Sequence, residues 1–487
     1  MKPNYSKIFV IVLGVLVLAY ISAKAYLSSF THDESFTYLT YVHTSFMDII
    51  SFSNWYTNNH ILNSLFMKYS EQLFGCSELA LRLPNLLLFC VYITYCYLLF
   101  KKSDQLLIIA ILLLLCTNNS LIDLFGLGRG YGMSYGFMVM SLYHFIRSFY
   151  DQKTKNIILF HTGALLAVLS NFTALDLYVS LLVIYNMIVF IDVKLISNKK
   201  YNFFSANKAH LLPLIVVIII LFEPVRRLLM SNGLDFGGKN GFYEDTVNSL
   251  IHYTLQFPHI PQFILVCLQI LFTGSVLIPF VFIIRMIMRK NEAFFINFKG
   301  FIISNFLLAL ISLAIVLQRL IFKADYPVSR FSLFLFPLFI LHFGFLLSYL
   351  SSVNFKRSIT VAAFGLALVS LTAFTLKLNL RSCSEWEFDM ETKNMLQKLT
   401  EYHQKTNSDP QKIKLEINWL FEPTINFYRQ TKDLDWLLPA DRNGISTGAD
   451  YYYIFKNDLD KLTPDSYDII TEYNKINTLL IRNKQKS

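Results

Sequence analysis

The chain has 487 residues, of which 54% are hydrophobic and only 16% charged, and its mean hydropathy is +0.45. That balance excludes an ordinary soluble multidomain enzyme and makes the bilayer the solvent. The net charge of +10 lies mostly in short turns between apolar runs, so it reads as membrane topology and predicts no nucleic-acid partner.

A helix needs about 20 apolar residues to cross the hydrocarbon, and about eleven runs approach that length. They lie near 8–27, 81–100, 105–118, 131–149, 156–171, 173–193, 210–223, 262–284, 300–318, 331–350 and 358–379. The third, fifth and seventh are short, as shielded or re-entrant spans can be. With a cytoplasmic N-terminus, the inside turns carry Lys2 and Lys7, Lys101 and Lys102, Arg147 with Lys153 and Lys155, and Lys194 with Lys199 and Lys200. They continue with Arg285, Arg289 and Lys290, then Lys356 and Arg357. Every predicted inside turn is basic, which fixes the orientation. Ala23-Lys24-Ala25 after the first run resembles a signal-peptidase site, but an uncleaved first span is the expectation. The lack of organelle-retrieval signals and the compact size point to a bacterial inner membrane. The six cysteines show no C-x-x-C spacing and imply neither a disulfide framework nor a zinc site.

This topology leaves four pieces outside: residues 28–80, 119–130, 224–261 and the tail from about 380. In the first, residues 46–52 and 60–73 form amphipathic helices, the second with Leu62, Leu65, Phe66, Tyr69 and Leu73 on one apolar face suited to the membrane interface. In the tail, Glu391 to His403 has helical spacing, whereas KIKLEINWL, DYYYIF and NTLLIRN look like strands. The predicted fold is therefore an all-α polytopic membrane protein, residues 1–380, with a small C-terminal α/β extracytoplasmic domain, residues 381–487.

The stretch THDESFTYL puts Asp33 and Glu34 at the mouth of the first span. Adjacent carboxylates there are costly to bury; they either serve chemistry or, with Thr31, cap the next helix. Further on come Gly75, Glu78, Arg82, Leu83 and Pro84 in NNHILNSLFMKYSEQLFGCSELALRLPNLL. DLFGLGRGYGMSYGF follows, and then YPVSRFSLFLFPLFIL with Pro327, Arg330 and Phe331. In this order the pieces resemble the type C (GT-C) glycosyltransferases, in particular the family of protein O-mannosyltransferases and bacterial aminoarabinose transferases of lipid A. The resemblance covers roughly residues 1–350 and is weaker in the middle.

The resemblance implies transfer of a sugar from a polyprenyl-phosphate donor at the outer face of the membrane, with Asp33 as the catalytic carboxylate and Glu34 beside it. Such a reaction needs a base for the acceptor hydroxyl and donors for the departing phosphate. Arg129, in a glycine-rich turn, and Arg330 are the candidate phosphate forks; the alternative for Arg129 is an interfacial arginine reaching lipid headgroups. Asp123, Asn59, His60, Tyr131 and Lys323 complete the predicted substrate contacts. Asp123 is expected to orient the acceptor, pair with Arg129 or join a metal site. Asn58, Asn59 and His60 stand where aminoarabinose transferases carry a Glu-Lys-Pro-Pro type sequence, so the donor-phosphate lysine of that subgroup has no counterpart there. A divalent cation is an open expectation: Asp33, Glu34 and Asp123 supply its oxygens only if their loops converge. The partners expected are the lipid-linked sugar, membrane lipids and a glycan, lipid or protein acceptor. The competing reading is a polyprenyl-linked sugar flippase, which would place ionisable groups at mid-membrane and show paired halves; neither feature is visible.

Overall fold

The computed structural model describes residues 5–484 except 55, 152, 231–236, 258, 354–355, 407–411, 447 and 464–465. Trp55 of the first loop and part of the 224–261 piece thus fall outside the described residues. The chain begins with α1 (Tyr5–Leu27), α2 (His32–Thr37), α3 (Phe46–Ile50), α4 (Ile61–Phe74) and α5 (Glu78–Phe100). It continues through α6 (Gln105–Cys116), α7 (Asn119–Phe125), α8 (Gly130–Asp151), α9 (Thr154–Ser170), α10 (Ala174–Phe190) and α11 (Phe203–Met230). Then come α12 (Asn248–Leu255), α13 (Gln262–Met288), α14 (Glu292–Asn297), α15 (Lys299–Phe322), α16 (Leu335–Val353) and α17 (Lys356–Leu376).

Each predicted apolar run falls largely within a helix. Among the described residues, 7 helices are long and apolar enough to cross a membrane, or 8 if the bent pair α6–α7 is one span, and the chain is an integral membrane protein. The difference from about eleven has a physical origin. Helix α8 buries Gly130, Gly132, Ser134, Ser141 and His144 against its neighbours, so protein rather than lipid covers its polar side. Helix α9 has only 17 residues. The break between α6 and α7 bends the chain by 72°, and Asn118 caps the new helix by accepting from the Leu121 N–H at 2.8 Å.

The four pieces outside the spans meet at one end of the bundle. There the Gly128 N–H donates to Glu34, Ser120 donates to the Tyr253 carbonyl, the Ser329 N–H donates to Ser249 and Ser29 donates to the Met390 carbonyl. The segment GCSELALRLP organises this end. Gly75 ends α4 at φ +81°, a left-handed closure that favours glycine. Ser77 caps α5. Pro84 supplies no N–H to the Ala80 carbonyl one turn earlier, and that carbonyl instead accepts from Ser70 Oγ at 2.5 Å. The proline thereby ties α4 to α5.

Helix α4 differs from a simple interfacial helix. Leu62 and Leu65 are buried and Tyr69 and Leu73 exposed, but the opposite side, with Asn63, Ser64 and Ser70, is buried as well. Its polar side packs inward: Asn63 donates to the Gly128 carbonyl at 2.8 Å and accepts from Asn85 at 2.7 Å.

The tail forms α18 (Thr392–Thr406), β1 (Leu415–Ile417), α19 (Glu422–Thr431), β2 (Tyr451–Phe455), β3 (Tyr467–Tyr473) and β4 (Thr478–Asn483). The sheet order is β1-β2-β4-β3, with β1 parallel to β2 and the other pairs antiparallel. Strand β3 was not expected; its pairing slips between Ile469 and Thr471, which blurs the alternation a strand normally shows. The tail shares a core with the first loop. Phe30 stacks on Phe427 at 4.3 Å, and the Tyr428 hydroxyl accepts from the Phe30 N–H at 2.8 Å while donating to Glu78 at 3.0 Å. Glu78 also pairs with Lys393 at 2.8 Å.

Candidate active site

Thr31 and Glu34 make a reciprocal capping box at the start of α2, which turns the two adjacent carboxylates in different directions. Glu34 points into the protein, fully buried, and meets Arg82, also fully buried, in a two-pronged pair at 2.6 and 2.7 Å. Its oxygens also accept from the Thr31 N–H and hydroxyl at 2.9 Å and from the Gly128 N–H at 2.5 Å. Arg82 spends its remaining donors on the carbonyls of Ala25, Ser28 and Ser29 and on the Ser28 hydroxyl. These bonds fasten the end of α1, whose last carbonyls have no helical partner. The structure therefore places Glu34 in the interior, its two oxygens held by Arg82, Thr31 and Gly128, and not beside Asp33 in the open cluster.

Asp33 faces the other way. Its Oδ2 lies 3.4 Å from Arg129 Nη2 and 3.3 Å from Arg330 Nη2, and its side chain keeps 17% exposure. Burial raises its pKa, but the Arg129 and Arg330 guanidiniums, with His32 and the Trp386 side chain, outweigh burial and hold it below the ordinary 3.8. Asp33 is thus an ionised carboxylate between two cations.

Arg129 is nearly buried. Its Nη1 donates to Thr37 Oγ1 at 3.0 Å and to the carbonyls of Asn58 at 3.2 Å and Asp33 at 3.4 Å, while its buried Nε has no hydrogen-bond partner. Asn58 completes this clasp by donating to Thr37 and to the Asp33 carbonyl. The glycines around Arg129 let the chain approach closely: a Cβ on Gly130 would lie 1.8 Å from the Ser170 carbonyl oxygen, and one on Gly128 would lie 2.7 Å from Met67.

Arg330 sits in a short 3-10 turn, Ser329–Phe331, ahead of α16. It donates to the Tyr131 hydroxyl at 3.1 Å and to Glu385 at 2.5 Å, and lies 4.9 Å from the rings of both Phe331 and Trp386. His60 packs against Tyr131 at 4.9 Å and bonds through Nδ1 to the Ser170 carbonyl at 2.7 Å. Burial and the nearby Arg129 push its pKa well below 6.5, so the ring is neutral and Nδ1 carries the donated proton.

The structure thus gathers Asp33, Arg129, Arg330, Tyr131 and His60. It does not gather the rest. Asp123 pairs with Lys24 at 2.5 Å, and of the three roles expected for it, the pairing with Arg129 is not the one the structure shows. Asn59 donates to the Ile49 carbonyl at 3.1 Å and accepts from Ser64 at 2.9 Å, both amide atoms being used in folding the loop. Lys323 ends α15 in a left-handed conformation and is exposed; its carbonyl accepts from Arg319, and no described bond joins its side chain to Asp33. The three carboxylates offered for a cation do not converge, and among the described residues no group of three His, Cys, Asp or Glu could hold a metal. Missed by the sequence reading were Glu385 and Trp386 of the tail. The signal was present in SEWE, an acidic-aromatic cluster just beyond the last span.

No protein-family model matches the chain, and no curated protein matches its sequence. Solved structures match over nearly the whole length. ArnT from Cupriavidus metallidurans in the apo state is 11% identical, with 98% of each chain covered and a TM-score of 0.47. The same protein bound to undecaprenyl phosphate is 10% identical, with 99% of this chain and 98% of that one covered and a TM-score of 0.48. The archaeal oligosaccharyltransferase AglB from Archaeoglobus fulgidus, in complex with an inhibitory peptide and a dolichol-phosphate, is 12% identical. It is matched over 94% of this chain and 70% of its own, with a TM-score of 0.44.

Proposed function

We propose that this protein is an inverting glycosyltransferase that moves a sugar from a polyprenyl-phosphate donor to an acceptor hydroxyl at the outer face of a bacterial inner membrane. The observation that carries the reading is the Asp33 carboxylate held between the Arg129 and Arg330 guanidiniums at the end of a membrane helix bundle. The motif resemblance of the sequence supports the same chemistry, and the basic turns support the orientation. In this reading residues 1–380 carry the reaction, and the tail, 381–487, contributes Glu385 and Trp386.

A sugar phosphate entering the site brings oxygens that compete with Asp33 for the two forks. As the guanidiniums turn to the phosphate, the charges that depress the Asp33 pKa are shared, and the carboxylate becomes a stronger base where one is needed. Asp33 then takes the acceptor hydroxyl proton while that oxygen attacks the anomeric carbon. The bond from this carbon to the phosphate oxygen breaks, and Arg129 and Arg330 stabilise the charge developing on the polyprenyl phosphate. A single displacement inverts the anomeric centre. Neutral His60 and the Tyr131 hydroxyl line the same cluster: His60 Nε2 can accept from a sugar hydroxyl, and the Tyr131 hydroxyl can donate to sugar or phosphate.

The test is to supply the purified protein in nanodiscs with a panel of polyprenyl-phosphate sugars and acceptors, and to assign the product anomer by NMR. Transfer with inversion supports the reading. Transfer with retention overturns the single displacement, and movement of lipid-linked sugar between leaflets without transfer identifies a flippase.

A further inference from the structure

Arg330 is held more closely by the tail than by Asp33. Glu385, in the 3-10 turn Ser384–Glu391 at the start of the tail, reaches its Nη1 at 2.5 Å, whereas Asp33 stands 3.3 Å from its Nη2. The Tyr131 hydroxyl takes Nε at 3.1 Å, so each nitrogen of the guanidinium already has a partner. A phosphate gripped end-on by Nη1 and Nη2 therefore meets both carboxylates, not Asp33 alone. Asp33, once displaced, serves as the base. Glu385 has no part in the transfer chemistry.

The surroundings let Glu385 release this fork and recapture it. The guanidinium lies 4.9 Å from the rings of both Phe331 and Trp386, which keep it in place while its N–H partners change. Glu385 also has a second partner within reach: the Tyr253 side chain of α12 adjoins both it and Ser384. A cavity of about 600 Å³ opens on that side, with Tyr253 and Ser384 in its wall. A carboxylate that turns from Arg330 to the Tyr253 hydroxyl is not left unbonded.

Charge decides which lipid this contact disfavours. Arg129 and Arg330 are balanced by Asp33 and Glu385. Asp389 touches the same loop, accepting from the His32 N–H at 2.6 Å, but burial drives it well above the ordinary carboxylate range, toward the uncharged acid. A phosphate thus enters a balanced cluster and stands beside Glu385, and the repulsion grows with its charge. The sugar donor is a phosphodiester with a single negative charge, and the polyprenyl phosphate left after transfer carries about two.

We propose that Glu385 is a tethered competitor for the lipid phosphate: it holds the Arg330 fork in the empty site and reclaims it after transfer, which drives the polyprenyl phosphate out. The inference rests on the glycosyltransferase reading, which supplies the phosphate lipids. Glu385 is in this sense a positioning residue, acting through Arg330 and touching no reacting atom. A fork that is occupied in the empty protein lowers the apparent affinity for phosphate to the share of molecules in which it is free. Removing the Glu385 charge must therefore tighten binding, the opposite of what a loosened fold would do.

Full-length wild type, Glu385→Gln and Glu387→Gln in nanodiscs would be titrated at about pH 8, above the ordinary histidine range. The ligands are a short-chain polyprenyl phosphate and its methyl diester, which has the charge of the donor. Isothermal calorimetry reads binding without any sugar, and a thermal melt confirms that the variants fold. Glu387→Gln removes the same charge two residues on, where the side chain pairs with Lys475 at 3.2 Å and not with Arg330. Glu385→Gln should bind the phosphate about tenfold or more tightly and the diester by a smaller factor. Glu387→Gln should stay within about twofold of the wild type, since its exposed charge is screened. During turnover, Glu385→Gln should be inhibited by correspondingly lower concentrations of the phosphate. No tightening in Glu385→Gln, an equal gain in Glu387→Gln, or a diester gain as large as that of the phosphate overturns the proposal. Tightening in a protein that transfers no sugar from any donor keeps the competitor and overturns the transferase reading, whereas transfer with unchanged phosphate affinity does the reverse.

Discussion

Glu34→Gln should leave a protein damaged in folding rather than in chemistry. The substitution keeps the size of the side chain but removes its charge from a site with no solvent access. Arg82, itself fully buried, then has no counter-ion. One former oxygen becomes an N–H₂ facing either the Arg82 fork and Thr31 or the Arg82 Nε and Gly128 N–H. Breaking one side of a buried pair costs about 3–5 kcal/mol, because the other charge is stranded. That is a large part of a native stability of about 5–15 kcal/mol. The assay is thermal unfolding in detergent followed by size exclusion. The expected outcome is a fall of roughly 5 °C or more in the apparent midpoint. Replacing both partners, as Glu34→Leu with Arg82→Met, should recover part of the loss, since no charge is then stranded. A Glu34→Gln protein that melts with the wild type yet has lost transfer activity would refute the structural assignment and return Glu34 to the catalytic centre.

Other consequences follow from the same geometry. Arg330→Lys keeps the charge but cannot hold Tyr131, Glu385 and Asp33 at once; kcat/KM should fall about 10- to 100-fold, measured by initial rates, and an unchanged value would remove Arg330 from the phosphate site. The pH profile should be split. In the free enzyme the depressed Asp33 pKa keeps the base ionised, so kcat/KM should hold at acidic pH and fall only below the ordinary carboxylate range. In the complex, phosphate takes up the arginines, so the acid limb of kcat should lie at higher pH; coincident limbs would contradict the competition for the forks. Glu78→Gln weakens the contacts to Lys393 and Tyr428, so limited proteolysis should cut the tail sooner than in the wild type.

The long helices were legible because each imposes its own period and length on the sequence, and the meeting of Asp33 with Arg129 and Arg330 was foreshadowed by the order of motifs that resemble those of a known family. What stayed hidden was partnership. The Thr31–Glu34 capping box separates the two carboxylates locally, but the partner that holds Glu34 in the interior is Arg82, on another helix and fully buried beside it. Asp123 has the composition of a site residue, but Lys24, which looked like part of a signal-peptidase triplet, neutralises it. Asn59 looked like a ligand because it sits in a polar stretch, and the fold spends it on the loop backbone. Glu385 and Trp386 escaped because the tail read as a separate domain, whereas Tyr428 and Glu78 dock it onto the first loop. Strand β3 escaped because its register slips midway.

The most direct test of the central claim is the single-turnover rate of sugar transfer by Asp33→Asn, measured with saturating donor and acceptor and with folding confirmed by thermal melt. Loss of a general base predicts a fall of about 10²- to 10⁴-fold with the melting point near that of the wild type. Transfer at the wild-type rate would contradict the account.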